Sequence, residues 1–549
     1  MRKAFSKVLI LFIAMVLLIG SFTIGCTPKD SNQLTGPSSD ESSEKGTDNT
    51  NNSEDAKPEE NQPVTLTYFW NMDAKASMSM KSYEEIACFK EAKEQTGVNI
   101  EWKHPPAGQG TEQFNLMLAS QDLPDLIFWG WRGITGGPAK AIADGSILKL
   151  NDIIEEHAPN FNAVLEANPD WKKEAVLDDG SLYMFPFIRG DMDLRMNAGF
   201  QIRKDWLDQL NLEIPKSIDD WYTVLTAFKE KDMNNNGNPD DELPFVSAGL
   251  GSVANFARAW GIVKGFYKNG DGVKYGPVQP EYKEYLATMA KWYAEGLIDP
   301  DFAATDGTSF DAKVTGSLGG SYHGMVSGNM GRFTQSVRPN EPEFELAGVP
   351  FPIGPIGKAY GFIDPSVINA GTAITTSCQH KPEAAEYLDY GYGEEGHMAF
   401  NFGTEGESYT LVDGEPKYTD IVLKNPELPI PNALIRYAMS IGTGSFVQDV
   451  RYLRQILTYP EQQEALKIWI TGSDMSLNMP PVTLTAEESQ KYANIMSEIN
   501  TYVDEMTTKF IMGEESLDKF DQFANQIGKM KIDEALKIQQ AALERYNAR

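Results

Sequence analysis

Between Asp232 and Leu243 the chain reads Asp-Met-Asn-Asn-Asn-Gly-Asn-Pro-Asp-Asp-Glu-Leu. Oxygen-bearing side chains stand at the first, third, fifth and ninth positions (Asp232, Asn234, Asn236 and Asp240), and the sixth is Gly237. That is the opening half of an EF-hand-type calcium loop. Calcium takes roughly six to eight hard oxygen ligands, and a tight turn at glycine lets alternate residues point inward while the seventh, here Asn238, offers its backbone carbonyl. The bidentate acid usual at the twelfth position is absent, since that residue is Leu243. Asp241 and Glu242 are the acids at hand to complete the shell, and the loop's composition alone does not choose between them. A solvated Asn/Gly-rich turn is the competing reading.

Signatures of catalysis are missing. No His-Glu-x-x-His helix, Gly-x-Ser-x-Gly elbow or Gly-x-x-x-x-Gly-Lys loop occurs. His104, His157, His323, His380 and His397 stand far apart without ligand spacing, and each reads as a surface or satisfied structural residue. Carboxylates are abundant enough that a glycosidase-type pair stays open by counting, but no pair stands out.

The other chemically informative residue is Cys26. Arg2, Lys3 and Lys7 precede an apolar run from Val8 to Ile19, followed by small residues and Thr23-Ile24-Gly25-Cys26. This is a secretory leader with an apolar core too short to span a bilayer. A cleavage site with a small residue directly before cysteine resembles a bacterial lipoprotein signal, so residues 1–25 are expected to be removed and Cys26 to carry lipid. Palmitate is the expected chain type. Thr23 replaces the leucine usual in that signal. From Cys26 to Pro63 the chain is Ser, Asp, Glu, Asn, Pro and Lys with almost nothing apolar, a composition that cannot offset chain entropy by burial and reads as a flexible tether.

The body, residues 64–549, is too large for one simple core. The net charge of −30 includes the basic leader, so the remainder is more acidic still. Nucleic acid is an unsuitable partner for such a surface. Cys88 and Cys378 lie in apolar contexts and read as small hydrophobes; pairing between them is left open. Val64–Trp70 alternates as a strand. A helix over Tyr83–Gly97, a strand Val98–Trp102, a helix Glu112–Ser120 and a strand ending at Phe128 follow. This alternation predicts an α/β fold with a parallel sheet, which binds ligands outside the carboxyl ends of its strands. Trp70, Trp129 and Trp131 fall at such ends, more tryptophans than a core requires, though each taken alone reads equally well as a core residue.

Several segments carry a specific resemblance: Asn115–Leu126 with its Leu-Pro-Asp-Leu close, Ile202–Asp208, Trp221 on the helix after Pro215, Trp292–Pro300, and Phe402–Tyr409. In that order they resemble extracellular solute-binding proteins of ABC importers. The likeness is greatest to the large lipid-anchored, carbohydrate-binding members, such as the LipO group and alginate-oligosaccharide-binding proteins. It extends from Val64 to the terminal helix at Lys531–Tyr546.

The resemblance implies a type II periplasmic-binding-protein-like fold of two discontinuous lobes with a helical C-terminal region. Residues 64–195 and 366–475 would form the first lobe; 196–365 and 476–549 would form the second, with the calcium loop 232–242. Leu182–Phe187, Gly199–Ile202 and Gly371–Thr375 mark the hinge crossings. In that family the calcium site closes with an acid directly after the ninth position, which brings in Asp241, with Glu242 one further on. Implied partners are an oligosaccharide, the transmembrane subunits of an ABC permease, and the membrane through Cys26, for a monomer on the extracytoplasmic face of the cell membrane. Sugar contacts are expected from Trp70, Trp129, Trp131, Arg189, Asp191, Trp260, Tyr322 and Glu405, with aromatic rings stacking on sugar faces. The calcium would be structural. The alternatives are a surface-anchored polysaccharide-degrading enzyme and a binder that feeds a sensor kinase.

Overall fold

The computed structural model describes residues 63–549. The leader, Cys26 and the tether up to residue 62 lie outside the described residues. Among the described residues no helix is long and apolar enough to cross a membrane.

The strands are β1 (Thr65–Phe69), β2 (Asn99–Lys103), β3 (Leu126–Trp129), β4 (Phe185–Arg189), β5 (Ala198–Arg203), β6 (Phe266–Asn269), β7 (Gly272–Tyr275), β8 (Ser321–Met325), β9 (Leu346–Val349), β10 (Val367–Ile374), β11 (Tyr409–Val412), β12 (Glu415–Tyr418) and β13 (Val447–Gln448). Six of them form the first lobe's sheet, in the order β13-β4-β10-β3-β1-β2. The pairs β1–β2, β1–β3 and β4–β13 are parallel, whereas β10 runs antiparallel to both β3 and β4. The sheet is therefore mixed rather than wholly parallel. The reason is topological: β4 leaves the first lobe at its carboxyl end, and the chain returns through β10 at that same edge. A strand entering where its neighbours exit must run against them.

Local sequence explains the elements. The helix Ala87–Thr96 stops at Gly97, whose φ of 71° permits the amide to reach the Lys93 carbonyl. The helix Ile218–Lys229 starts with a capping box in which the Asp220 amide donates to Ser217 Oγ and the Ser217 amide donates back to Asp220 Oδ2. The Leu-Pro-Asp-Leu segment works as a lock between strands. Asp125 Oδ2 accepts from the Thr67 amide at 2.8 Å and from the Thr67 hydroxyl at 2.7 Å, tying the entry of β3 to β1. The Arg203-Lys204-Asp205-Trp206 segment acts likewise: Arg203 forks onto Asp205 at 2.9 and 2.6 Å and lies over the rings of Trp206 and Phe344. Both motifs hold the scaffold.

Two hydrophobic clusters divide the body. One gathers residues from Leu66 to Ile188, from Val367 to Phe400, and Ile435, Met439 and Phe446; the other is built around the sheet β8-β5-β9. The expected first-lobe span 366–475 is too long. The hairpin β11–β12 and the helices Val450–Ile456 and Pro460–Thr471 contribute to the second cluster. Trp469 donates its indole N–H to the Val349 carbonyl at 3.0 Å and lies where a Cβ on Gly199 would be only 2.3 Å from its ring. The cause is again strand direction: β13 parallels β4 and ends at the same edge, so the chain after it passes to the second lobe.

The long helix Ala486–Met512 packs on the helix Pro280–Ala294, with Tyr282 and Thr507 sharing a hydroxyl hydrogen bond of 2.9 Å. From the terminal helix Ile532–Ala548, Arg545 bridges Glu488 and Asp178 at 2.5 Å each, so the C-terminal region touches both lobes. Cys88 and Cys378 are buried free thiols.

Candidate functional site, an inter-lobe cleft

The carboxyl ends of β1, β2, β3, β4 and β13 and the amino end of β10 share one edge of the first sheet. In the second lobe β5 begins where the first crossing ends, and β8, antiparallel to it, finishes at that edge. The extended segment from Leu243 to Ala248 runs parallel to β8: Leu243 bridges Gly319, and the Val246 amide donates to the Ser321 carbonyl at 2.9 Å. Its end therefore reaches the same edge. The two lobes thus turn their strand ends toward the crossings that join them, which defines a cleft.

On the second lobe's edge lies a cavity of about 630 Å³ lined by Ala248, Asp306, Phe310, His323, Asn329 and Arg332, among others, within the range of small-ligand sites. Arg332 makes a two-pronged contact with Asp311 at 2.6 and 2.8 Å. Asp306 caps the helix Gly307–Thr315 through the Ser309 amide at 2.7 Å. His323 Nε2 is buried without a hydrogen-bond partner. Burial, with the Arg258 charge nearby, pulls its imidazole down to about 4, so the ring is neutral at physiological pH. Sequence reasoning read His323 as structural and chose its neighbour Tyr322. Side chains alternate along a strand, and here Tyr322 faces the core, between Phe310 and Phe333, while His323 lines the cavity.

The expected aromatic contacts need correction. Trp131 is fully buried, donates its indole N–H to the Gly371 carbonyl at 3.2 Å and meets Phe114 edge-on. Trp70 stacks on Phe128 at 4.1 Å with Tyr83 against its edge. Trp260 packs on Tyr285, and Tyr322 is buried with its hydroxyl unpartnered. These four rings fill the lobe cores because each finds aromatic partners inside. Trp129 differs: it is half-buried, with one face stacked on Phe114 at 4.1 Å. Glu405 is exposed in the turn before β11, and the residues beside it, Thr404 and Glu407, line a groove with Lys90 and Glu94 of the helix Ala87–Thr96. That groove lies apart from the cavity on the second lobe.

Arg189 and Asp191 sit at the first crossing, on either side of Gly190. Arg189 Nη1 is 3.7 Å from Asp364 of the second crossing, its guanidinium lies over Phe187, and its Nε is buried without a partner. Asp191 is exposed and its side chain caps no amide. Although the residue as a whole is exposed, partial desolvation of its carboxyl at the crossing raises it above the ordinary value, opposed by Arg454 and helped by Asp193 and Asp449. At the third crossing Asp449 behaves in the opposite way. Burial pushes it up, but hydrogen bonds from His397 and Arg451 outweigh burial and hold it well below the usual range.

The loop Asp232–Glu242 stands at the far edge of the second sheet, at the start of the segment whose end reaches the cavity. Five residues at about 3.3 Å each place it roughly 16 Å from that end. Gly237 adopts φ 88°, and the amides of Asn236 and Gly237 donate to the Asp232 carboxylate at 3.1 and 2.9 Å. Glu242 is buried; its Oε1 accepts from the Met233 amide at 2.7 Å, while its Oε2 and Asp241 Oδ1 have no partner. Orphaned buried carboxylate oxygens in an oxygen-rich loop suit a hard cation. Among the described residues no three acidic, histidine or cysteine side chains gather into one cluster, so the fit rests on a mixed set of carboxylate, amide and carbonyl oxygens.

Comparison with known proteins agrees with this architecture. The fructooligosaccharide ABC transporter substrate-binding protein FusA of Streptococcus pneumoniae is 25% identical over 515 residues, covering 87% of this chain and 90% of FusA. Lipoprotein LipO of Bacillus subtilis is 26% identical over 444 residues, covering 78% of this chain and 82% of LipO. Among solved structures, the alginate-binding protein AlgQ2 without calcium ion superposes with a TM-score of 0.74 at 28% identity, covering 88% of this chain and 98% of AlgQ2. The family of bacterial extracellular solute-binding proteins matches residues 77–398, more than half of the sequence. The chain belongs to that family.

Proposed function

We propose that this protein captures an oligosaccharide outside the cell, closes its lobes on it and hands it intact to an ABC permease. The observation that carries this reading is the convergence of two sets of strand ends on one cleft, joined by three crossings able to act as a hinge. The half-buried Trp129 at the end of β3 and the exposed Asp191 at the crossing support this reading, as a ring that would stack on a sugar face and a carboxylate that would accept from its hydroxyls. Cys26 would hold the body at the membrane by its lipid, with the tether giving reach. A calcium ion held by Asp232, Asn234, Asn236, the Asn238 carbonyl and Asp240, with Asp241 or Glu242, would stiffen the second lobe far from the ligand.

The test is a thermal-shift screen of the mature protein against plant and microbial oligosaccharides, with mass analysis of the recovered sugar. A rise in melting temperature with the sugar returned unchanged supports capture. Shortened products would show hydrolysis and overturn it.

A further inference from the structure

Large apolar side chains left open to water mark contact sites when they gather in one place. Three stand at the edges of the cleft. Met192 follows Asp191 at the first crossing, Met325 closes β8, and Phe362 lies on the second crossing, between the end of β9 at Val349 and the start of β10 at Val367. Met325 is two residues past His323, so strand alternation puts both on the cavity side of β8. Phe362 is 39% exposed, and among the described residues it is the only exposed aromatic ring. Every other ring expected from this side of the cleft, Trp260 and Tyr322, is buried.

The backbone on either side of Phe362 is pinned. The buried Arg258 donates to the Gly361 carbonyl at 2.8 Å, and its guanidinium carbon lies 5.6 Å from the centre of the Phe362 ring. Asn478 donates to the same carbonyl at 3.1 Å, and the Gly361 amide donates to the Asp474 carbonyl at 3.1 Å. Position 361 has no room for a side chain, since a Cβ there would stand 2.7 Å from Ser473 and 2.9 Å from Met196 and Met475. Two residues beyond the ring, the Asp364 amide donates to the Arg195 carbonyl at 3.1 Å and the Asp364 carbonyl accepts from Arg195 Nε at 2.8 Å. The Asp364 carboxylate is 3.7 Å from Arg189 at the end of β4. Arg258 is also the charge beside His323 of the cavity. Through these neighbours Phe362 stands between the second lobe's cavity and the strand end of the first lobe. A flat apolar ring suits the C–H face of a sugar, and a ring already fixed in place gives up little freedom on binding.

We propose, resting on the carbohydrate reading above, that Phe362 is a stacking platform for one sugar ring of an oligosaccharide seated across the crossings, and that it supplies the aromatic contact which Trp260 and Tyr322 do not. The experiment is isothermal titration of the mature protein with fructo-, xylo-, malto- and galacto-oligosaccharides, oligogalacturonates and alginate oligomers. The tightest of these is then titrated into Phe362→Tyr, Phe362→Leu and Phe362→Ala. The tyrosine variant, which keeps the flat ring, should bind like the parent. The leucine and alanine variants should each lose affinity by about tenfold or more, with the melting temperature and the scattering radius of the sugar-free protein unchanged. Parent-like affinity in the leucine or alanine variant, or an equal loss in the tyrosine variant, would overturn the inference and leave the carbohydrate reading intact. So would a loss of affinity accompanied by a changed sugar-free radius, which would assign the ring to the hinge. Binding of none of these sugars by the parent would overturn the carbohydrate reading and this inference with it.

Discussion

Replacement of Trp131 by alanine separates a core role from a ligand-contacting one. The ring is fully buried, its N–H is bonded to the Gly371 carbonyl, and Phe114 closes one side. Removing a buried tryptophan costs about 3–5 kcal/mol, and the stranded carbonyl adds about 1 kcal/mol. For a lobe-sized unit each kcal/mol lowers the melting temperature by about 2–4 °C, so Trp131→Ala should lower first-lobe melting by roughly 8–24 °C. Trp129→Ala is the paired control. Its ring is half-buried and rests on Phe114 by one face, so the loss should fall on sugar affinity, with melting changed by only a few degrees. Differential scanning calorimetry of both variants, alongside titration with the best ligand, reads the two effects separately. A Trp131→Ala protein that melts like the parent but no longer binds sugar would refute the core assignment.

Chelation should lower the melting temperature and Asp232→Ala should remove that sensitivity, because an ion at a hundredfold excess over its dissociation constant stabilises the folded state by about 2.7 kcal/mol; an unmoved melting curve with no bound metal by elemental analysis would leave the loop as a turn. Asp449→Asn should cost about 2 kcal/mol at neutral pH through its bonds to His397 and Arg451. Since the folded carboxyl lies below its ordinary value, that stability is complete above the unfolded value and is lost as pH falls toward the folded one; the gap between parent and variant in urea titrations should begin to shrink below about pH 4. His323 titrates the other way: it is held near 4 against an ordinary 6.5, so the unfolded chain binds the extra proton between those values. Stability should fall as pH drops through that window, and His323→Gln should flatten the slope. Finally, Cys26→Ser should move the protein from the membrane pellet to the soluble fraction of its host.

Much of the scaffold was legible from periodicity. The alternation from Val64 to Phe128 locates β1 to β3 within a residue or two, because short strands between capped helices leave clear marks. The antiparallel β10 was not, since direction depends on where the chain re-enters the sheet, a long-range fact absent from any local pattern. Similarly, the passage of residues 450–471 to the second lobe follows from the parallel pairing of the two-residue β13, too short to announce itself. Strand-end tryptophans were legible as strand-end residues, with core and cleft equally open; whether Trp70 or Trp131 faces the cleft is decided by Phe128 and Phe114, which come from other elements. For His323 the signal was present and missed. Once Tyr322 is given to one face of β8, alternation hands its neighbour to the other.

Small-angle scattering of the protein in calcium-containing buffer, free and saturated with the tightest oligosaccharide, measures capture between lobes most directly. Closure about the three crossings predicts a smaller radius of gyration in the complex, with ligand shifting the population toward the closed form. An unchanged radius at full saturation would contradict it.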